Sequence, residues 1–281
     1  MDGAPEIVST IAELRARLSP SRKAGMRIGL VPTMGALHEG HLSLVRETKA
    51  RRALTVVSVF VNPAQFGPNE DFTRYPRTLE SDCAKLTDLA DVVFTPSVSE
   101  MYPDGFATRI DVGGPALGLE SDFRPHFFSG VVTVVTKLLL AVMPDEATFG
   151  EKDYQQLLVI RHLVADLSLP IEIAAGETVR EPDGLAMSSR NAYLLPGERK
   201  TASQLNIVLR EVAENVRHRK PIASAEAHGR EALLRAGFTS VDYVAVRDAE
   251  TLAPIETFTR PARVLAAAKI GTTRLIDNLL V

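Results

Sequence analysis

The sequence predicts an α/β chain, with a doubly wound, Rossmann-like parallel sheet over residues 1–178 and a smaller α+β domain over 179–281. Three observations carry this. Short apolar runs alternate with helical stripes as far as residue 174, the order expected of a parallel sheet with crossover helices. The run at 54–61 is apolar and β-branched nearly throughout, as in strands buried on both faces. Near Val179 the pattern changes to a turn at Glu181-Pro182-Asp183-Gly184, two helical stretches and three strand-like pieces.

Taken in order, a first helix covers 9–18, with Ser9 as its N-cap and Pro20 as its stop. A buried strand at 26–31 and a helix at 40–52 follow, then the strand at 54–61 and a long loop over 62–76. A helix at 77–89 leads to a strand at 91–95, a short strand at 107–112 and a Gly/Pro-rich loop over 113–128. The sheet is completed by a helix at 131–143, a strand at 147–149, a helix at 154–167 and a strand at 171–174. Helices at 196–219 and 223–236 and strands at 241–247, 263–268 and 274–280 make up the second unit. Ligands of such sheets bind beyond the carboxyl ends of the strands, and every chemically notable loop lies at such an end.

Composition narrows the function. A net charge of −3 over 281 residues speaks against a general nucleic-acid binder, which needs a basic face. The single cysteine, Cys83, excludes a disulfide framework and a cysteine-built metal cluster, and fits a reducing, cytoplasmic setting. Its spacing suits a small apolar residue on a helix. The N-terminus, with Asp2 and Glu6 and no apolar core, does not read as a signal peptide. The longest apolar run, 131–143, is interrupted by Lys137 and too short to span a bilayer, so no membrane partner is expected.

Val31-Pro32-Thr33-Met34-Gly35-Ala36-Leu37-His38-Glu39-Gly40-His41 is a strand-to-helix turn. Backbone N–H groups and the positive end of the helix dipole converge there, which suits phosphate. Gly35 and Gly40 let a ligand approach the backbone, and the two imidazoles share one face of the first helical turn. A pair of solvated surface histidines fits the same spacing. A metalloprotease pair does not, because His-Glu-x-x-His is one residue longer. Gln65, just past the second strand, offers a neutral amide for a hydroxyl or carboxylate, or alternatively caps its own loop. Gly150-Glu151-Lys152-Asp153 opens a helix with Gln156 one turn in; Lys152 suits phosphate, and Asp153 suits a ribose hydroxyl or a helix cap. In Met187-Ser188-Ser189-Arg190, two hydroxyls and a guanidinium can hold leaving phosphates. That segment has little apolar anchoring, so it is expected to close only when nucleotide enters.

The His-x-Gly-His tetrad resembles that of the nucleotidyltransferase and class I aminoacyl-tRNA synthetase-like superfamily, and Met187 to Arg190 resembles its Lys-Met-Ser-Lys-Ser partner. Over nearly its whole length the chain is similar to the pantothenate synthetase (pantoate–β-alanine ligase) family. The blocks are Pro32 through His41, Phe60-Val61-Asn62-Pro63 with Gln65-Phe66, and Arg74-Tyr75-Pro76-Arg77. Further on come Phe149 through Asp153 with Gln155-Gln156, Asp183 through Asn191, and Leu275-Ile276-Asp277-Asn278. The resemblance implies an enzyme that condenses (R)-pantoate with β-alanine using ATP, releasing AMP and pyrophosphate through a pantoyl adenylate. It implies Mg²⁺ with ATP, and a homodimer. By the same resemblance ATP is held by Met34, Gly35, Ala36, Leu37, His38, Glu39, Gly40 and His41, by Gly150, Glu151, Lys152 and Asp153, by Val179, and by Met187, Ser188, Ser189 and Arg190. Gln65 and Gln156 then hold pantoate, Gln65 also lies near β-alanine, and no residue is a metal ligand. The family's general acid corresponds to His41, with His38, Lys152 and Arg190 beside it in the catalytic set.

Pantoate's carboxylate is already ionised at neutral pH, so the first step needs alignment and charge stabilisation rather than a base. His38 and His41 therefore read first as hydrogen-bonding groups on the phosphates. One segment departs from the family pattern: Arg124-Pro125-His126-Phe127-Phe128-Ser129-Gly130 places Phe127 where a histidine is usual, and Ser121 replaces a glycine. His126 is one place off and receives no role; Arg124 can approach the substrate. Two rival functions are a nucleotidylyltransferase and a nucleotide sensor on the same fold. The neutral Gln65 and Gln156 disfavour the first, since a phosphorylated acceptor asks for cations. Lys152, Ser188, Ser189 and Arg190 would be without purpose in the second.

Overall fold

The computed structural model describes residues 3–68 and 70–281; Asp2 and Asn69, of the N-terminal and 62–76 readings, lie outside the described residues. Six strands, β1 (Glu6–Val8), β2 (Ile28–Thr33), β3 (Leu54–Val59), β4 (Val92–Phe94), β5 (Glu146–Gly150) and β6 (Glu172–Gly176), form one sheet in the order β1-β4-β3-β2-β5-β6. Every neighbouring pair is parallel. The winding reverses between β2 and β5, so the loops after these two strands part and leave a crevice.

The intervening helices are α1 (Ile11–Lys23), α2 (Glu39–Arg51), α3 (Leu79–Lys85), α4 (Val98–Met101), α5 (Glu120–Phe123), α6 (Phe127–Val142) and α7 (Tyr154–Asp166). Leu14, Leu18, Leu139, Leu157 and Ile160 of α1, α6 and α7 pack with Leu30, Val56 and Phe94 on one face of the sheet. Leu44, Val45 and Leu86 pack with Val31, Val57 and Val93 on the other. Both faces are thus covered, which is why these strands read as continuous apolar runs.

Beyond β6 come α8 (Pro196–Ala202), α9 (Gln204–Arg217) and α10 (Ile222–Ala236), then an antiparallel sheet of β7 (Ser240–Asp248), β8 (Ala262–Ile270) and β9 (Thr273–Leu280). Leu205, Leu209 and Val212 of α9 and Leu233 of α10 close a second core over Val246, Val264 and Ala266. No described helix is long and apolar enough to cross a membrane.

Several local expectations change. The strand β1 has no counterpart in the periodicity; it is a three-residue edge strand paired with β4. Pro20 does not stop the first helix, which starts at a Thr10 cap, not at Ser9, and runs to Lys23. A proline near the end of a helix removes one backbone donor, and tertiary bonds offset the loss: Arg22 Nη2 donates to Val142 O at 2.6 Å and Met143 O at 3.2 Å. Residues 107–112 are not a strand. Their backbone finds side-chain partners on α6, Ile110 N–H donating to Thr133 Oγ1 (3.3 Å) and Ser129 Oγ to Ile110 O (2.9 Å). The 77–89 helix contracts to α3, and 196–219 divides at Ser203 into α8 and α9.

Candidate active site

The turn after β2 is built by Asp82. Gly35 and Ala36 take left-handed conformations, φ 83° and 50°. The buried Asp82 carboxylate accepts the N–H groups of Ala36 (2.9 Å) and Leu37 (2.8 Å) and the hydroxyl of Thr78 (3.2 Å). Not every amide that converges on this turn is free. Ala36 and Leu37 donate to Asp82, and His38 N–H donates to His41 Nδ1 at 3.4 Å. Among the described residues of this turn, the N–H groups of Met34, Glu39 and Gly40 have no hydrogen-bond partner.

His38 caps α2, and its ring lies 4.0 Å from that of His41, centroid to centroid. The bond from His38 N–H places the His41 proton on Nε2. His38 Nδ1 is buried and has no partner among the described residues. A Cβ on Gly40 would come within 3.0 Å of the His38 ring, so this glycine is needed for the close approach. Burial first, then the charge of Lys152, brings His38 down to about 4. Burial, the neighbouring His38, Lys152 and Lys85 bring His41 down to about 3. Both rings are therefore neutral at pH 7, able to donate an N–H but not to act as cations.

Lys152 stands opposite, on the turn between β5 and α7; among the described residues its one ion pair is a loose one to Asp153 at 3.7 Å. That turn is braced from β9. Asn278 Nδ2 donates to the carbonyls of Glu151 and Lys152, both at 2.9 Å, while Asn278 Oδ1 accepts from Arg263. Arg263 in turn lies 3.7 Å over the Tyr154 ring and 3.3 Å from Glu151. Asp277 holds Arg180 through two bonds of 2.7 and 2.9 Å.

The 187–191 segment follows. Met187 N–H donates to Val179 O (3.0 Å), Ser189 Oγ to Ala36 O (3.1 Å), and Asn191 Nδ2 to Glu181 (3.0 Å) and Ala186 O (3.1 Å). Arg190 forms two bonds of 2.9 Å with Asp71. Burial would raise the Asp71 carboxyl, but the bonds and charge of Arg190 outweigh it and hold it below the ordinary value. Polar bonds nevertheless tie the segment to its surroundings, one of them, from Ser189, to the 33–38 turn and two, from Arg190, to Asp71.

Gln65 closes the floor. Its Oε1 accepts from Asn62 (3.1 Å), its Nε2 lies 3.1 Å from Met34 Sδ, and Asn62 Oδ1 accepts from Tyr102 (2.7 Å). Gly130 of α6 lets this turn settle on the helix; a Cβ there would sit 2.2 Å from Ala64 O. Gln156 also faces the cavity and has no hydrogen-bond partner among the described residues, whereas Gln155 is buried and bonded to Pro115 O (3.0 Å) and Gly118 O (3.2 Å). In the departing segment, Arg124 reaches the cavity wall. It is held by Glu70 (two bonds of 2.7 Å), Glu120 (3.3 Å) and Gln65 O (3.2 Å), and lies 3.8 Å over the Phe127 ring. Phe127 is thus a platform, and His126 stays outside the lining.

These groups line one cavity of about 480 Å³ between the two sheets. It gathers Met34, His38, Gly40, His41, Gln65, Gly150, Lys152, Asp153, Gln156, Val179, Met187, Ser188, Ser189 and Arg190. Gly35, Ala36, Leu37, Glu39 and Glu151 lie behind the wall. Leu37 is buried in the α2–α3 core, and Glu39 is exposed and paired with Arg46. Sequence reasoning does not single out Asp71 or Asp82, because a lone aspartate in or beside a loop has no distinguishing spacing. Tyr75 stands out only as part of a family block.

The family model described as pantoate-beta-alanine ligase matches residues 6–280. The chain belongs to the pantoate-β-alanine ligase family. A pantothenate synthetase from Mesorhizobium japonicum is 54% identical over 98% of this chain and 97% of its own. The Paramagnetospirillum magneticum pantothenate synthetase is 53% identical, covering 99% of each. Among solved structures, the pantothenate synthetase of Thermus thermophilus superposes with a TM-score of 0.91 at 49% identity, covering 98% of each chain. The pantoate-β-alanine ligase of Francisella tularensis, complexed with β-γ ATP and β-alanine, gives 0.84 at 36% identity, covering 99% of this chain and 98% of that one. The α/β architecture of a ligase of this family, a six-stranded parallel sheet joined to a three-stranded antiparallel one, is thus the one the sequence predicted.

Proposed function

We propose that this ligase condenses (R)-pantoate with β-alanine in the crevice between β2 and β5, using ATP and passing through a pantoyl adenylate. The observation that carries the assignment of residues is the convergence of four chain segments on one cavity. His38 and His41 face Lys152, Ser188, Ser189 and Arg190 across it, with Gln65 and Gln156 on its floor. That a Francisella tularensis relative binds β-γ ATP and β-alanine supports the same ligands here.

In the first step a pantoate carboxylate oxygen bonds to the α-phosphorus, and the bond to the bridging oxygen breaks. Pyrophosphate leaves with the electron pair, and no proton moves. The neutral imidazoles donate through N–H to phosphate oxygens, Lys152 balances the charge that develops, and Ser188, Ser189 and Arg190 hold the departing pyrophosphate. Gln65, steadied by Asn62 and Met34, and the unpaired Gln156 orient pantoate. In the second step the amine nitrogen of β-alanine bonds to the acyl carbon, AMP leaves with the C–O electron pair, and the amine proton passes to water. With His41 neutral and its Nδ1 accepting from His38, stabilisation of phosphate charge fits it better than delivery of a proton from an imidazolium.

Mg²⁺ is proposed to enter with ATP, as the family resemblance implies, where it would balance phosphate charge. Residues 1–178 act as the nucleotide- and pantoate-binding domain and 179–281 as the smaller domain that presents the Met-Ser-Ser-Arg segment. A homodimer in the cytoplasm completes the proposal, on the strength of the family resemblance and the single cysteine.

Exchange of labelled pyrophosphate into ATP tests the assignment. It is expected to require pantoate and not β-alanine, with AMP appearing only once β-alanine is added. Exchange that ignores pantoate would overturn it.

A further inference from the structure

Two arginines border the cavity, and adjacent carboxylates hold one each: Glu70 takes Arg124 and Asp71 takes Arg190. The two pairs differ in what they leave free. Arg124 has four of its five donors engaged, Nε, Nη1 and Nη2 bonding to Glu70, Glu120 and Gln65 O, with its face against Phe127. Arg190 gives Asp71 only its side edge, Nε to one carboxylate oxygen and Nη2 to the other, both at 2.9 Å. A guanidinium carries five N–H donors in a rigid plane, so this side-on grip leaves the far edge, both Nη1 hydrogens and one on Nη2, able to take an anion. Among the described residues nothing else bonds to that edge.

We propose that Asp71 is a positioning residue for the known reaction. It fixes the plane of Arg190 from the side, and so keeps the guanidinium's terminal edge aimed at the pyrophosphate as charge builds on it. This rests on the assignment of Arg190 to the phosphates. The local structure fits the role. Asp71 is mostly buried, its side chain 13% exposed, and it lies on a segment that meets the Arg190 segment again where Tyr193 OH donates to Arg74 O (3.3 Å). The Tyr75 ring stands 5.9 Å from the guanidinium. An arginine free to rotate would sample many rotamers and present the correct edge only part of the time.

A double-mutant cycle on single-turnover formation of pantoyl adenylate tests this, using the full-length protein with saturating ATP and pantoate. Asp71→Asn keeps the shape and one acceptor but loses the second bond and the charge. It is expected to slow adenylate formation by about tenfold or more, with the apparent ATP constant changed much less. The deciding measurement is the same substitution in an Arg190→Gln background, where it is expected to have no further effect. An equal loss in both backgrounds would mean that Asp71 merely shapes its own loop, and would overturn the proposal. So would an unchanged rate for Asp71→Asn beside a slowed Arg190→Gln. If Arg190→Gln alone leaves adenylate formation unaltered, the phosphate role of Arg190 fails, which is a separate result. Should Asp71→Asn not fold, Asp71→Glu keeps the charge but displaces the grip by one methylene, and the same cycle applies.

Discussion

The two neutral histidines should make the ligase fragile in mild acid. Burial is the largest cause holding His38 down to about 4 and His41 down to about 3, while an unfolded chain returns each to the ordinary imidazole value near 6.5. Each folded pKa is below its unfolded one, so between the two values the unfolded state binds more protons. Stability from this source is fully present above the unfolded pKa and is lost as pH falls below it. Near pH 5.5 both folded rings are still neutral, so each histidine costs about 1.4 kcal/mol and the pair roughly 3 kcal/mol relative to neutral pH. That figure does not depend on the folded values as long as they stay well below the working pH. Urea unfolding near pH 7.5 and near pH 5.5, on the wild type and on a His38→Gln/His41→Gln variant, isolates the pair, because contributions common to both proteins cancel. The wild type should lose about 3 kcal/mol more than the variant over this interval. Equal losses would show that the rings are not held neutral and would refute the account of the site as a pair of uncharged donors.

Lys152→Ala should fold normally and slow adenylate formation by roughly 10²–10³-fold, the scale for one charge-stabilising group; an unchanged single-turnover rate would remove it from the mechanism. Gln65→Ala should weaken pantoate use by about 1–3 kcal/mol while calorimetric ATP affinity stays the same, and the opposite pattern would reassign it. Gly130→Ala should push the 63–65 turn off α6, because the new methyl would meet Ala64 O at 2.2 Å; pantoate use and melting temperature should both fall, and neither moving would mean that the turn is not seated there.

The larger sheet was legible because its central strands are buried on both faces and read as apolar runs between helical stretches. What escaped was structure supported by distant partners. β1 is too short to show a period and exists because β4 offers an open edge. The first helix passes Pro20 because Arg22 is tied to the end of α6. The site followed the same division. The histidines and Lys152 stand just past strand ends, where chemistry can be anticipated from spacing, and the Met-Ser-Ser-Arg segment is marked by its residue types. Asp82 and Asp71 act on groups 45 or more residues away in sequence, and nothing local in the chain announces them.

Asp82 has one more consequence. By occupying the amides of Ala36 and Leu37, it takes two donors from the backbone cradle that a strand-to-helix turn normally offers a lone anion. On the proposed assignment, phosphate groups are met by the remaining amides at the start of α2 and by side chains from three separate segments, so each fragment of the nucleotide is held weakly. Affinity then arises from the chelate effect, when one molecule ties the fragments together and raises their effective concentration at one another's subsites. Cleaving the α–β bond abolishes that tether, so the same geometry that grips ATP lets pyrophosphate diffuse away.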